Sequence, residues 1–300
     1  MKVVLFCGGF GMRLRDYSDS CPKPMVKIGY RPILWHIMKY YAHFGHKDFI
    51  LCLGWQANVI KEYFLNYDEC ISNDFVMSSG GGEVNLLNTD IQDWNITFVD
   101  TGPEAKIGER LKAVEHHLDG EEMFLANYAD GLTDLYLPNL IDFAQKKRSI
   151  ASFVSVQPQY NTFHTVNTDA DGVVQSVEPI QKTGVWMNGG FFVFTTEIFN
   201  YIDSGQELVE EPFDKLIDER KLHSYRYDGF WACMDTFKEK EVLDVMFSTG
   251  HAPWEVWKQS PQGAARQQHG GNGRRKPVSI VSPTGSAQRG VKPSLVKEPQ

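Results

Sequence analysis

Four apolar residues, Val3 to Phe6, run straight into a loop holding Gly8, Gly9 and Gly11. That junction constrains the chain more than any other stretch. A short apolar run closed by glycines reads as a buried strand ending in a tight turn. Glycines let backbone N–H groups converge on an anion and take φ values closed to other residues, so the turn is a candidate phosphate cradle. Arg13 and Lys23 are the nearest cations that could complete it.

Two familiar phosphate loops do not fit. A Walker loop requires GxxxxGK followed by Ser or Thr, and the chain contains no Gly-Lys pair. The dinucleotide fingerprint would run from Gly9 to Leu14, so its last glycine is missing, which argues against a nicotinamide-dependent oxidoreductase.

Downstream, strand-like and helix-like patterns alternate. Ile33, Leu34, Ile37, Met38, Tyr41 and Phe44 recur at helical spacing up to Gly45, and DFILCLG follows as a strand from Asp48. Asn58 is placed to cap a helix over VIKEYFLNY, and residues 68–92, with Gly80 to Gly82 in the middle, read as a loop plus a short strand. NITFV and MFLANY are further strands, separated by a helix from Gly108 to Leu118. Later elements are a helix from Pro138 to Lys147, a strand from Ile150, a β meander over 160–178, helices from Glu197 and Pro212, and a helix from Phe237 to Phe247. This alternation predicts an α/β fold, a mainly parallel mixed sheet covered by helices.

Ligands of open α/β sheets bind at the C-terminal ends of the strands. Asp130 falls at such an end, where it is either a metal ligand or the shaping residue of an Asp-Gly turn. Adjacent His116 and His117 point apart on a helix and cannot share a metal. His164 has no spaced ligand partner. Five scattered cysteines without a CxxC pair argue against a disulfide framework and against zinc.

Residues 258–300 hold eight Lys or Arg and one Glu, a charge of +7, so against a whole-chain charge of −8 residues 1–257 carry −15. An acidic body is a poor general binder of polyanions, so nucleic acid is not an expected partner and a nucleotide would need a few placed cations and a metal. The last 43 residues contain no aromatic residue, five prolines and six glycines, and are expected to be a disordered basic tail. The domain is accordingly expected over 1–257, with a smaller β region at about 150–190. Neither a membrane span nor a signal-peptide core is present, which points to a cytoplasmic protein.

The order GGFGMRL, then Lys23-Pro24, resembles the GGxGxRL…PKP signature of sugar-phosphate nucleotidylyltransferases. PKPMVKIGYRPILWHIMKYY, DFILCLGW, WNITFVDTG, MNGGFFVF, GFWACMDT and APWEVW extend the resemblance through residue 257, in particular to the glucose-1-phosphate cytidylyltransferase branch. The resemblance implies CTP and α-D-glucose 1-phosphate as substrates, CDP-glucose and pyrophosphate as products, Mg²⁺ as cofactor, a Rossmann-like sheet with a small β extension, and a homo-oligomer. It implies that Phe6, Cys7, Gly8, Gly9, Phe10, Gly11, Met12 and Arg13 wrap the nucleotide, mostly through backbone. Lys23 and Arg13 would neutralise its phosphates, Arg110 and Ala129 would add nucleotide contacts, and Asp130 and Asp235 would be the metal ligands. Asn188 and Gly189 would border the sugar. The sugar-side Glu-Lys-Pro motif is broken here: Glu178-Pro179-Ile180 lacks the lysine, with Lys182 as its substitute. UTP or dTTP, a different sugar phosphate, or a regulatory homologue with weak activity are the readings this departure leaves open. Aromatic residues near Trp254 and Trp257 are expected to be exposed and to meet a neighbouring subunit.

Overall fold

The computed structural model describes residues 1–9, 21–158 and 163–258. Strand β1 (Val3–Phe6) is buried throughout, with Val3 and Leu5 in one core and Val4 and Phe6 in the other. A strand that is apolar on both faces needs cover on both, which parallel crossovers through helices supply. After the short hairpin of β2 (Lys27–Ile28) and β3 (Arg31–Pro32), α1 (Ile33–His43) lies along one face, and β4 (Asp48–Leu53) returns parallel to β1. Helix α2 (Ala57–Leu65) follows, then an antiparallel hairpin, β5 (Phe75–Ser78) and β6 (Glu83–Leu86), and β7 (Asn95–Asp100) pairs parallel with β4.

Helix α3 (Ile107–Ala113) leads to β8 (Met123–Asn127), which pairs with β1 on its other side. The short β9 (Gly131–Thr133) precedes α4 (Leu137–Lys147) and β10 (Ala151–Val156). A second separate hairpin, β11 (His164–Thr168) and β12 (Val174–Pro179), comes before β13 (Met187–Thr195), α5 (Glu211–Asp218) and β14 (Leu222–Tyr227). The chain closes with β15 (Trp231–Cys233), which pairs with β9, and α6 (Phe237–Ser248). The central sheet has seven strands in the order β14-β10-β13-β8-β1-β4-β7, and β13 alone runs antiparallel to its neighbours. The expected mainly parallel mixed sheet is the observed one.

One core is built from α1, α2, α4 and α6 against the face carrying Leu5 and Leu51; the other from α3 and α5 against Phe6, Phe124 and Phe192. Each fully buried Val, Leu or Phe contributes roughly 1.5–3 kcal/mol to holding the sheet from whose carboxyl edge the site's loops leave.

Several local expectations are corrected. Asn58 lies inside α2, and the helix instead starts after Gln56, whose φ of 51° lies in the left-handed region. The helix from Gly108 stops at Ala113, and a 3-10 turn, Glu115–Leu118, carries the chain on. The segment from Glu197 is a 3-10 turn, not an α-helix. Residues 68–92 hold the β5–β6 hairpin, and the segments flanking it are anchored by a buried charge network missed in the sequence. Arg31, 1% exposed, donates to Tyr63, Ser72 and the Asp68 carbonyl, while Asp90 accepts from Lys39 at 2.7 Å and Tyr67 at 3.0 Å.

Trp254 is 1% exposed, and half-buried Trp257 packs edge-on against Trp35 at 5.9 Å, so neither is the exposed aromatic expected at a subunit contact. Both close over His36, whose imidazole donates from Nε2 to the Ile28 carbonyl (3.1 Å) and accepts at Nδ1 from Trp254 (3.3 Å). Among the described residues no helix is long and apolar enough to cross a membrane. Of the expected tail, 258–300, Lys258 closes a 3-10 turn and the rest lies outside the described residues.

Candidate active site

The glycine turn leaves the sheet at the C-terminal end of β1. Cys7 extends the pairing by one bond, donating from its N–H to the Cys52 carbonyl at 2.9 Å, and Gly8 then turns away. A Cβ on Gly8 would lie 1.9 Å from Nη1 of Arg110, so this glycine is required by a side chain passing through its space. The Arg110 guanidinium donates to the carbonyls of Gly8 (3.1 Å), Leu53 (3.2 Å) and Pro103 (3.2 Å) and to the Thr101 hydroxyl (2.8 Å). It therefore ties together the ends of β1, β4 and β7. Burial holds its pKa below the usual arginine value, against neighbouring thiols and acids that act to raise it. The resemblance implied a nucleotide contact for Arg110, whereas the structure shows a 2% exposed guanidinium committed to protein oxygens.

Phe6, Cys7 and Gly8 are buried, and Gly9 is exposed. Phe10, Gly11, Met12 and Arg13 lie outside the described residues.

The second arm of the site comes from β8. At its end the Asn127 side chain accepts from the Ala129 N–H (2.8 Å), and Ala129 sits at φ 61°, a left-handed conformation that glycine adopts without strain. The chain then enters β9, where Gly131 pairs with Cys233 of β15, and the Met234 N–H donates to the Asp130 carbonyl at 3.0 Å. This ladder brings Asp130 beside Asp235. Asp235 is set in turn by Glu239, whose Oε2 accepts from the N–H of Asp235 (2.8 Å) and of Thr236 (2.9 Å) in the capping box that starts α6. The Thr236-x-x-Glu239 spacing is a legible capping signal that the sequence reading did not use.

Lys23 lies in the 3-10 turn Lys23–Met25 and closes the arrangement. Its amine donates to Asp130 Oδ2 at 2.8 Å and to Asp235 Oδ1. Burial alone would lower its pKa; the two aspartates outweigh that and raise it, so the ammonium is fixed in its charged form. Two carboxylates from separate elements already sharing one cation are a donor set suited to a hard divalent ion. The Cys233 thiol nearby is pushed up by burial and by Glu239, Asp235 and Asp130, so it remains protonated and offers no thiolate nucleophile.

A third arm borders the same mouth at the N-terminal end of β13. Asn188 donates to the Tyr128 hydroxyl at 3.2 Å and accepts from the Gly190 N–H at 2.9 Å, and the Gly189 carbonyl accepts from Trp231 Nε1 at 2.8 Å. Asn188 and Gly189 are thus tied to Tyr128 and Trp231, which lie on the segments leading to Asp130 and Asp235. Tyr128 and Trp231 make those ties, and neither was singled out in the sequence. Glu178 and Lys182 are both exposed, on the β11–β12 hairpin and on the 3-10 turn that follows it.

The nucleotidyl transferase family profile matches residues 2–238. A glucose-1-phosphate cytidylyltransferase of Salmonella typhi is 38% identical over 258 residues, covering 86% of this chain and all of the relative. A mannose-1-phosphate guanyltransferase of Kluyveromyces lactis is 28% identical over 254 residues, covering 81% of this chain and 63% of the relative. Among solved structures, a UDP-glucose pyrophosphorylase from Acinetobacter baumannii superposes with a TM-score of 0.61 at 15% identity, over 85% of this chain and 96% of that one, and so shares the fold. The strand-to-glycine turn, the paired aspartates at the sheet's C-terminal edge and the match across most of the chain lead to one conclusion: this chain belongs to the nucleotidyl transferase family and is an enzyme of that type.

Proposed function

We propose that the protein transfers the cytidylyl group of CTP to α-D-glucose 1-phosphate, giving CDP-glucose and pyrophosphate. The observation that carries this reading is the meeting of Lys23, Asp130 and Asp235 at the carboxyl edge of the parallel sheet, beside the glycine turn. The choice of cytidine and glucose rests on similarity to the Salmonella typhi cytidylyltransferase.

In this reaction a phosphate oxygen of the sugar phosphate forms a bond to the α-phosphorus of CTP while the bond from that phosphorus to the bridging oxygen breaks and pyrophosphate departs. The attacking oxygen is already ionised, so no side chain need remove a proton. What the site must supply is in-line positioning of two anions and neutralisation of charge on the transferred and leaving groups. The backbone of Phe6, Cys7, Gly8 and Gly9, continuing through Phe10, Gly11 and Met12, cradles the nucleotide. Arg13 and Lys23 sit on its phosphates, and Ala129 borders it. Asp130 and Asp235 would hold Mg²⁺, which when bound would supply charge neutralisation at the phosphate oxygens. Asn188 and Gly189 line the sugar. In this reading Arg110 is a positioning residue that holds the cradle's Gly8 in place.

A second substrate assignment is favoured by one observation. The sugar-side Glu-Lys-Pro motif lacks its lysine at Glu178-Pro179-Ile180, with Lys182 as its substitute on the 3-10 turn after β12, and this supports a sugar phosphate other than glucose 1-phosphate. The catalytic unit in this reading is residues 1–257, working in the cytoplasm, where nucleoside triphosphates are made. A homo-oligomer belongs to the reading too, resting now on exposed Val76, Met77 and Val84 of the β5–β6 hairpin and not on Trp254 or Trp257. Incubation with Mg²⁺, each nucleoside triphosphate in turn and a set of hexose 1-phosphates, with product mass as readout, tests it. CDP-glucose as the main product is expected; nucleotide binding with no pyrophosphate released from any pair would refute it.

A further inference from the structure

We propose that Lys23 is the resident counter-cation of the Asp130–Asp235 pair, and that a divalent metal gains these carboxylates only as a nucleoside triphosphate draws the lysine away, so that metal and nucleotide bind cooperatively. This rests on the functional reading above, in which Lys23 serves phosphates and the aspartates serve a metal.

The geometry shows a three-body contact. Lys23 Nζ is 2.8 Å from Asp130 Oδ2 and also bonds Asp235 Oδ1, with the three side chains 15%, 28% and 34% exposed. One ammonium therefore sits between the two carboxylates and neutralises both. A metal entering with the lysine in place would set a double positive charge against a single one at contact distance, in a partly desolvated site where such repulsion is weakly screened. Among the described residues no group of three or more His, Cys, Asp or Glu could hold a metal. Two carboxylates do not fill the shell of a cation such as Mg²⁺, which usually completes it with water and substrate phosphates. A bare site is therefore poor for metal on two counts: its seat is taken, and its remaining ligands arrive with the nucleotide.

The exchange is short in distance. Lysine is a point charge on a flexible stem, able to pass from carboxylate to phosphate without moving the backbone. The glycine turn leaves β1 next to the end of β8, three residues before Asp130, since Leu5 pairs with Asn127. The departure of Lys23 relieves the repulsion and frees the two carboxylates together, so one event couples both ligands.

The test uses Mn²⁺ as a paramagnetic probe, counting free ion by electron paramagnetic resonance with wild-type protein, Lys23→Met and Asp130→Asn, each with and without CTP. Lys23→Met should bind Mn²⁺ without nucleotide at least about tenfold more tightly than wild type, and CTP should tighten Mn²⁺ in wild type by a factor in the usual range of roughly 5–150-fold for coupled sites, but little in the variant. Asp130→Asn should bind weakly in either case. Lys23→Gln gives the same comparison should the methionine variant unfold, with circular dichroism confirming the fold. Mn²⁺ affinity without nucleotide that is unchanged or lower in the lysine variants overturns the proposal, even where the wild-type enzyme turns over. Wild-type protein that binds Mn²⁺ with neither CTP nor any other nucleoside triphosphate would instead defeat the functional reading itself.

Discussion

Gly131 and Cys233 face one another across the antiparallel pairing of β9 with β15, and this short ladder is what brings Asp130 and Asp235 together. The two acids are 105 positions apart in the chain, and on either side of them the backbone is fixed, by the Asn127 side chain before Asp130 and by the α6 capping box after Asp235. The site is thus pre-organised by hydrogen bonds to backbone, and its charged tips alone are left to meet Lys23.

Ala129 offers the simplest test of backbone strain. An L-residue in the left-handed region costs roughly 1–2 kcal/mol, and glycine gives back about 0.4–1 kcal/mol by loosening the unfolded chain. Ala129→Gly should therefore stabilise the protein by up to about 1 kcal/mol and keep full turnover, as read from chemical denaturation and a pyrophosphate-release assay. A destabilised variant would mean that the turn does not hold the φ of 61°.

Arg110→Met would leave the carbonyls of Gly8, Leu53 and Pro103 and the Thr101 hydroxyl without their shared donor. Losing a buried charged donor costs about 3 kcal/mol. The expected result is a loss of that size in denaturant titration together with a raised KM for nucleotide, because the strand ends loosen. Full stability with only KM changed would show that Arg110 contacts nucleotide directly.

His36 predicts how stability responds to acid. Burial, aided by Lys258 and Arg31, lowers its pKa to about 4, and its Nδ1 already accepts from Trp254. Between pH 6.5 and about 4 the unfolded chain binds a proton that the folded protein refuses, so stability is full above pH 6.5 and falls as pH drops through that window. The loss should be of order 3 kcal/mol by proton linkage. Denaturant titrations across these pH values should show the slope, and His36→Gln should flatten it; an equal slope in both proteins would assign the effect elsewhere.

Much of the architecture was readable because it rests on local signals. β1 and β4 are uninterrupted apolar runs, and α1 and α4 follow their helical spacing. What was not readable depends on tertiary partners. The pairing of β9 with β15 involves strands three residues long, too short for any periodicity. Trp254 and Trp257 looked exposed because nothing in their own stretch shows that His36 and Trp35 lie beneath them. Arg110 was placed on the nucleotide by resemblance, since only coordinates show its guanidinium filling the space above Gly8. Asp130 had two readings in the sequence, metal ligand or turn former. In the structure its backbone stands in the turn while its carboxylate is turned to Lys23.

The most direct measurement is pyrophosphate release from CTP and α-D-glucose 1-phosphate with Mg²⁺ by wild-type protein, Lys23→Ala, Asp130→Ala and Asp235→Ala, each shown to be folded. Removing one member of the charged triad should cost roughly 3–4 kcal/mol of transition-state stabilisation, a rate loss of two to three orders of magnitude. Near-normal rates in folded Lys23→Ala or Asp130→Ala would contradict the account.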